Sequence, residues 1–591
     1  MTLKVWLKKF LLWRVKHISN RQFILILSVI VGFGSGLAAV VIKNMTHFIQ
    51  ALLISDSIKD YHTYLYFLYP LIGIALTVLV IKYIIRKPVG HGIPGALYAI
   101  SKRNGIIPRN NMFRSIFTSA LTVGFGGSVG LEGPTVATGS AIGSNVARLM
   151  RLNYKTRILL IGCAAAGTLS AIFEAPVAAI VFALEVLMLD LTMSSMVPLL
   201  MASVAAGLTS RMLVGEDVLF YFKLSDSFQI ADTGYYVILG IAGGLLSVYV
   251  TKVFFFVEEL FKKIKARGKR VIIGGSVLGL LVFVLPPLYG EGYESINHLL
   301  SGNASLMLEG TWMDSFAENA MVLLLIIVAM FMFKIIATAV TFAAGGVGGI
   351  FAPTLFMGSM MGYAVASTIN IFSKQNVSVS NFTLVGMGAL MAGVLHAPLT
   401  AIFLIAELTG GYELFLPLMI AASISYMTVK YFVPHSIYNK QLADRGELIT
   451  HHKDKAVLMR LQLSKVIERN FKSIYSEMTL GELVKVVAHS TRNIFPVVSH
   501  ENELQGIVTL DDIRNIMFDQ SLYEKIKVED LMHQPLGIID CEEPMEQVMD
   551  KFKKSGAWNL AVTKRGKYDG FVSKAKLFSV YRGMLVEFSE D

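Results

Sequence analysis

From residue 23 to residue 440 the chain consists of long apolar runs interrupted by glycine and proline, and from 441 to 591 it takes on the mixed texture of a soluble domain. A helix needs about 20 apolar residues to cross a bilayer. Residues 23–42, 64–85, 235–257, 271–288 and 321–342 reach or approach that length. They predict a polytopic α-helical membrane protein with many broken helices. In the tail, residues 493–498 and 506–512 alternate apolar and polar positions, and residues 559–563 and 570–576 repeat the pattern. Period two predicts half-buried strands, and helical spacing follows each pair. The expected layout is a basic amphipathic helix over 1–22 and a transmembrane domain over 23–440, with halves at about 23–215 and 235–440. A linker over 441–462 then leads to α/β motifs at 463–520 and 525–586.

Only 16% of residues are charged, against about 25% in soluble proteins. A soluble core does not accommodate so many uncharged runs. Lys4, Lys8, Lys9, Arg14, Lys16 and Arg21 precede the first run, which predicts a cytoplasmic N-terminus. Val5, Leu12 and Val15, with Trp6 and Trp13, predict an amphipathic helix on the inner membrane face. The first run has no clear small-residue cleavage site and reads as a retained helix rather than a signal peptide. Basic flanks account for much of the net charge of +11, so no nucleic-acid partner is called for. Cys163 and Cys541 are too few for a disulfide framework or a metal cluster. No nucleophile–base pair or His-x-x-x-His pattern points to an enzyme.

The membrane part repeats internally. Residues 126–135, Gly-Gly-Ser-Val-Gly-Leu-Glu-Gly-Pro-Thr, align with residues 345–354, Gly-Gly-Val-Gly-Gly-Ile-Phe-Ala-Pro-Thr. Ala175-Pro176 aligns with Ala397-Pro398, Glu174 with His396 and Glu185 with Glu407. A duplicated domain with Gly- and Pro-broken segments is the sequence pattern of a transporter with inverted repeats. Helix starts left open in the membrane present free N–H groups and the positive end of a dipole, which suits an anion. The two glycine-rich blocks are therefore expected to meet near the bilayer midplane and cradle one. Glu185 and Glu407 read as structural, bonding freed backbone amides. One conflict arises. If the tail and the N-terminus are both cytoplasmic, the connection between inverted halves lies outside. Residues 262–270, taken as that connection, carry six Lys or Arg side chains, which the charge rule places inside. The repeat is given precedence.

These blocks resemble the CLC family of chloride channels and transporters. The family's anion-site loops are similar to Gly90-His91-Gly92-Ile93-Pro94, Gly130-Leu131-Glu132-Gly133-Pro134 and Gly349-Ile350-Phe351-Ala352-Pro353, with Tyr438 following in family order. The resemblance implies an inverted-repeat membrane fold, a homodimer with one anion route per subunit, and location in the inner membrane with both termini cytoplasmic. His91 stands where the family usually has Ser, Leu131 where it has a basic residue, and Val186 where its exchangers commonly carry an inner proton-handling Glu.

Glu132 is the expected gate. A carboxylate at mid-membrane costs about 2.5–3.5 kcal/mol and marks function by default. Being an anion, it can occupy the anion site, and protonation lets it leave. His91, Gly92, Ile93, Leu131, Gly133, Ile350, Phe351 and Ala352 are the expected anion-binding positions, several through backbone amides, and Tyr438 through its hydroxyl. His91 offers one N–H when neutral and a positive charge when protonated. The expected function is passive, glutamate-gated chloride permeation, because Val186 cannot relay protons; the alternative is a chloride/proton exchanger with a different inner proton route. A divalent-cation transporter is excluded because the site frame holds one carboxylate, Glu132. The tail motifs resemble a CBS pair, which implies an adenine nucleotide or cyclic dinucleotide held by Thr509 and Asp512, and by Ser573 and Lys576 in the second copy. A ligand-free dimerising pair is the alternative.

Overall fold

The computed structural model describes residues 3–53, 67–86, 92–187, 193–215, 228–373, 376–444, 461 and 463–589. The chain divides into two compact units, Met1–Leu448 and Ile449–Asp591. Among the described residues of the first unit, α1 (Leu3–His17) precedes two series of eight helices. The first series is α2 (Asn20–Leu53), α3 (Tyr69–Leu79), α4 (Ile93–Lys102), α5 (Asn111–Gly124), α6 (Glu132–Leu149), α7 (Tyr154–Phe173), α8 (Pro176–Glu185) and α9 (Met193–Val214). The second is α10 (Thr233–Lys262), α11 (Arg267–Val284), α12 (Tyr293–Leu300), α13 (Ala320–Ala344), α14 (Phe351–Ser373), α15 (Val379–Leu395), α16 (Pro398–Leu408) and α17 (Phe415–Phe432). A short α18 (Lys440–Asp444) follows.

The predicted duplication is thus a repeat of whole elements. The packing repeats as well. α6 lies on α7 as α14 lies on α15, and α2 packs on α9 as α10 packs on α17. The halves meet through α8 on α16 and α3 on α11. Seven of the described helices are long and apolar enough to cross a membrane. At 10 and 11 residues, α8 and α16 cover roughly 15 Å at 1.5 Å per residue, half a bilayer. Each starts on a proline that has no N–H to leave unpaired. Glu174 and His396, three and two residues earlier in the chain than Val177 and Pro398, both take the left-handed conformation at the end of the preceding helix.

Glu185 and Glu407 show what the short helices are for. The Glu407 carboxylate accepts the amides of Val177 (3.0 Å) and Ala178 (2.8 Å) at the start of α8. The Glu185 carboxylate accepts the amides of Leu399 (3.1 Å) and Thr400 (2.7 Å) at the start of α16, and the Thr400 hydroxyl (2.6 Å). The last residues of each half's short helix therefore cap the first turn of the other's, where intrahelical acceptors are missing. Hydrogen bonds to a charged acceptor are worth about 1.5–3 kcal/mol each, and here they come in reciprocal sets. The structural reading of these two glutamates holds.

Residues 262–270 are not the connection between the halves. They join α10 to α11 inside the second half, one 30-residue helix past that connection. The conflict between repeat and charge rule came from placing this stretch one span too early. In α1, Trp6, Phe10, Trp13 and His17 form one stacked aromatic row, while Val5, Leu12 and Val15 are exposed on another sector. Arg14 is buried, its guanidinium 4.0 Å from the Phe23 ring centroid.

The second unit has the predicted strand–turn–strand–helix motif twice. β2 (Ile494–Val498) pairs antiparallel with β3 (Leu504–Thr509), followed by α20 (Leu510–Ile513), after α19 (Leu480–Ala488). With α21 (Val528–Leu531) and α22 (Met545–Ser555) between, β5 (Asn559–Lys564) pairs antiparallel with β6 (Lys567–Ser573), followed by α23 (Lys574–Ser589). β1 (Ile467–Glu468) and β4 (Ile538–Asp540) extend the second sheet to the order β1-β6-β5-β4. Ile507, Ala561 and Phe571 pack together across the two motifs.

Candidate functional site

Three loop-to-helix starts converge inside the membrane unit: Gly92 before α4, residues 130–133 at α6 and residues 349–352 at α14. Gly130 and Gly349 exchange both backbone hydrogen bonds, at 2.8 and 2.7 Å. This is a two-residue antiparallel bridge between the repeat-equivalent blocks. Glycine is required here by space. A Cβ on Gly349 would come 2.7 Å from the Gly133 nitrogen, and one on Gly92, whose φ is +63°, 2.9 Å from the Gly133 carbonyl. No side chain fits between the three backbones.

Glu132 is the first residue of α6 and is fully buried. One carboxylate oxygen accepts the Tyr293 hydroxyl. The other has no hydrogen-bond partner among the described residues and lies beside Gly130 and Gly349. Phe351 and Ala352 are buried in the first turn of α14, where their amides have no intrahelical acceptor. The Phe351 ring packs 5.1 Å from that of Phe173. Tyr438 is 4% exposed, and its hydroxyl is also without a partner among the described residues. A cavity of about 250 Å³ is bordered by Ile93, Gly133, Gly349, Ile350 and Tyr438 and continues to Glu258, Lys262 and Arg270. A hydroxyl without a partner among the described residues and two cations around a cavity that reaches the start of α14 suit a small anion.

The structure brings together Glu132, Gly92, Ile93, Gly133, Ile350, Phe351, Ala352 and Tyr438. His91 lies outside the described residues. Leu131 is a correction: its amide donates to the Glu291 carboxylate at 3.0 Å, so it is already engaged and does not face the cavity. Val186 is buried at the end of α8, its amide bonded to the Phe182 carbonyl, and it does not border the cavity.

Three residues of this network were not foreseen. Glu291 and Tyr293 flank Gly292 ahead of α12, and Lys334 is a fully buried cation inside α13. Lys334 donates to the carbonyls of Leu288 (3.2 Å) and Gly290 (2.9 Å), and its ammonium lies 4.6 Å from the Phe356 ring centroid. Gly290 and Gly292 have positive φ. A signal existed for each. Lys334 is the one charge in the apolar run 321–342. Gly290-Glu291-Gly292 stands to α12 as Gly90-His91-Gly92 stands to α4, so extending the repeat pairs Glu291 with His91. The site frame thus has a second carboxylate beside Glu132, but the described residues hold no group of three or more metal-ligating side chains.

In the tail, Thr509 and Asp512 are joined. The Thr509 hydroxyl and amide donate to Asp512 Oδ2 at 2.7 and 2.6 Å, and His533 Nε2 lies 3.2 Å from the same oxygen. Burial raises the Asp512 carboxyl, but the bonds from Thr509 and the contact with His533 outweigh it and hold it below the ordinary value. In the second copy the Ser573 hydroxyl donates to Glu468 at 2.5 Å, and Glu468 also accepts Arg492 at 2.5 Å. A carboxylate from β1 thus stands where the second copy lacks its own. The Lys576 amide donates to the Ser573 hydroxyl at 3.2 Å.

Comparison with known proteins adds to this geometry. Residues 72–430, more than half of the chain, match the profile of the voltage gated chloride channel family, and residues 463–519 match the CBS domain. The chain is 31% identical over 329 residues to the H(+)/Cl(-) exchange transporter ClcA of Vibrio cholerae serotype O1, covering 54% of this chain and 66% of that one, just under two thirds. It is 29% identical over 383 residues to the putative chloride channel protein ClcB-like of Ralstonia nicotianae, covering 64% of this chain and 85% of that one. The fold is similar to that of a slow cyanobacterial Cl-/H+ antiporter, with a TM-score of 0.61 at 22% identity, over 73% of this chain and 99% of that one.

Tyr293 holds the Glu132 carboxylate in the junction, so Tyr293→Phe is expected to loosen it. A hydrogen bond to a charged acceptor is worth about 1.5–3 kcal/mol. Chloride efflux from proteoliposomes at neutral pH should therefore rise roughly tenfold. Efflux equal to that of the wild type would show that the bond does not hold the gate.

Proposed function

The chain belongs to the voltage gated chloride channel family, and from that premise we propose that it moves chloride across the membrane in exchange for protons. Glu132 alternately blocks the anion route and carries the proton. The observation that carries this reading is the position of Glu132. Its carboxylate sits where the starts of α6 and α14 meet, with no room for a side chain between the backbones. An anion passes that point only when the carboxylate leaves, and leaving is easiest when it is protonated. Each passage is then tied to a proton. The likeness to the Vibrio cholerae exchange transporter supports coupling over passive permeation. Passive, glutamate-gated permeation is the second reading, favoured by the apolar Val186.

Chloride binds between the amides of Ile350 and Phe351 and the Tyr438 hydroxyl, with the cavity as its approach. Both termini are cytoplasmic. Six basic side chains precede the first span, and the basic connection 262–270 falls one span after the connection between the halves. Both stretches then lie on the same, positive-inside face. The protein works as a homodimer with one route per subunit.

The tail holds an adenine nucleotide or cyclic dinucleotide through Thr509 and Asp512, with Ser573 and Lys576 on the second motif. Calorimetric titration of the full-length protein should show binding that Asp512→Asn weakens about tenfold, the loss of one charge-assisted hydrogen bond. No heat from ATP or a cyclic adenine dinucleotide at millimolar concentration would contradict this.

For transport, purified protein in liposomes under a chloride gradient is expected to drive protons against their own gradient. The reversal potential then departs from that of chloride alone. Glu132→Gln, which mimics the protonated side chain, should keep passing chloride, move no protons and lose its acid dependence. A wild-type reversal potential that follows chloride alone would overturn exchange in favour of the passive reading.

A further inference from the structure

An exchanger must deliver protons to Glu132, and where the family's exchangers commonly carry a proton-handling Glu this chain has the apolar Val186. Glu185, its neighbour, is committed: its carboxylate accepts three hydrogen bonds from Leu399 and Thr400 at the start of α16. Glu407 is committed in the same way to α8. Cycling a proton through either would uncap a helix inside the membrane.

The cavity offers another group. Of the described residues that border it, Glu258 is the one carboxylate. It lies in the last turns of α10, facing the same space as Gly133, Gly349 and Tyr438, and Gly133 is the residue next to Glu132. Water occupies about 30 Å³ in the liquid, so a cavity of about 250 Å³ has room for several molecules in a chain. Glu258 is half-buried and held in place. Lys262, one turn on, approaches it to 2.9 Å, and the Gln441 side-chain amide lies 3.4 and 3.3 Å from its two oxygens. The other titratable or charged groups on this cavity are Arg270 of α11 and Tyr438. Lys262 beside the carboxylate and Arg270 on the same cavity gather anions there.

We propose that Glu258 is the inner proton-transfer group of this protein, taking the part that Val186 cannot. The inference rests on the exchange reading above. Protonated Glu258 releases its proton to the cavity water, and the water chain delivers one to the Glu132 carboxylate. Glu258 regains a proton from bulk water, and no other bond forms or breaks. Because the relay stands on α10 rather than α8, the proton approaches Glu132 along the same cavity as the anion.

The test is the number of protons moved per chloride by the full-length protein in proteoliposomes, for the wild type, Glu258→Gln and Glu258→Asp. In Glu258→Gln the ratio is expected to fall at least about fivefold, and Glu258→Asp, which keeps a carboxylate, should retain most of it. A Glu258→Gln ratio equal to the wild type's would overturn the inference and leave exchange standing. Proton and chloride movement falling in proportion, with an unchanged ratio, would also overturn it and make Glu258 a support of the cavity wall. A wild type that moves no protons would sink the exchange reading itself, and this inference with it.

Discussion

Backbone that stops being helical inside a membrane must still find partners for its N–H and C=O groups, because the lipid supplies none. That constraint shapes the whole first unit. Glu185 and Glu407 each cap the first turn of the other half's short helix. At the starts of α6 and α14, Gly130 and Gly349 exchange their backbone bonds. Each half supplies what the other lacks, so neither is complete alone. Once those pairs have met, the amides of Phe351 and Ala352 are left over. They have no acceptor within their own helix, and the Ala352 amide is directed at the Glu132 carboxylate. The same bonds that make the broken helices tolerable bring two helix starts, with the positive ends of their dipoles, to one junction.

The shell around Glu132 is asymmetric between the halves. Glu132 has Phe351 as its repeat mate, so one half contributes a titratable group and the other only backbone. Around Glu132, Tyr293 donates to its carboxylate and Glu291 takes the Leu131 amide. Lys334 is anchored on the carbonyls at each end of the turn that precedes Glu291. A buried cation therefore stands in the same network as the two carboxylates, although position 131, where the family usually carries a basic residue, is leucine.

Much of this was legible from residue order alone. The glycine blocks and the structural part played by Glu185 and Glu407 could be read because the repeat keeps residue identity there. The reading stopped where identity is lost. His91 and Glu291 occupy equivalent loops but share no chemistry, so the second carboxylate went unnoticed although its flanking glycines repeat. Leu131 was expected at the anion, whereas its amide is taken by Glu291, the carboxylate that went unnoticed. The stretch 262–270 was taken as the connection for its charge, although the apolar run 235–257, which becomes α10, already precedes it. In the tail, Ser573 meets Glu468, 105 positions earlier. No local pattern carries that contact, since the pairing of β1 with β6 brings it about.

The most direct test concerns the junction itself, independent of coupling. Crystals of the Glu132→Gln protein grown in bromide allow the halide to be located by its anomalous scattering. A peak is expected between the Tyr438 hydroxyl and the amides of Ile350 and Phe351, where the cavity reaches the paired helix starts. Bromide bound elsewhere along the membrane unit, with that position empty, would contradict the claim that the junction of α6 and α14 is the anion site.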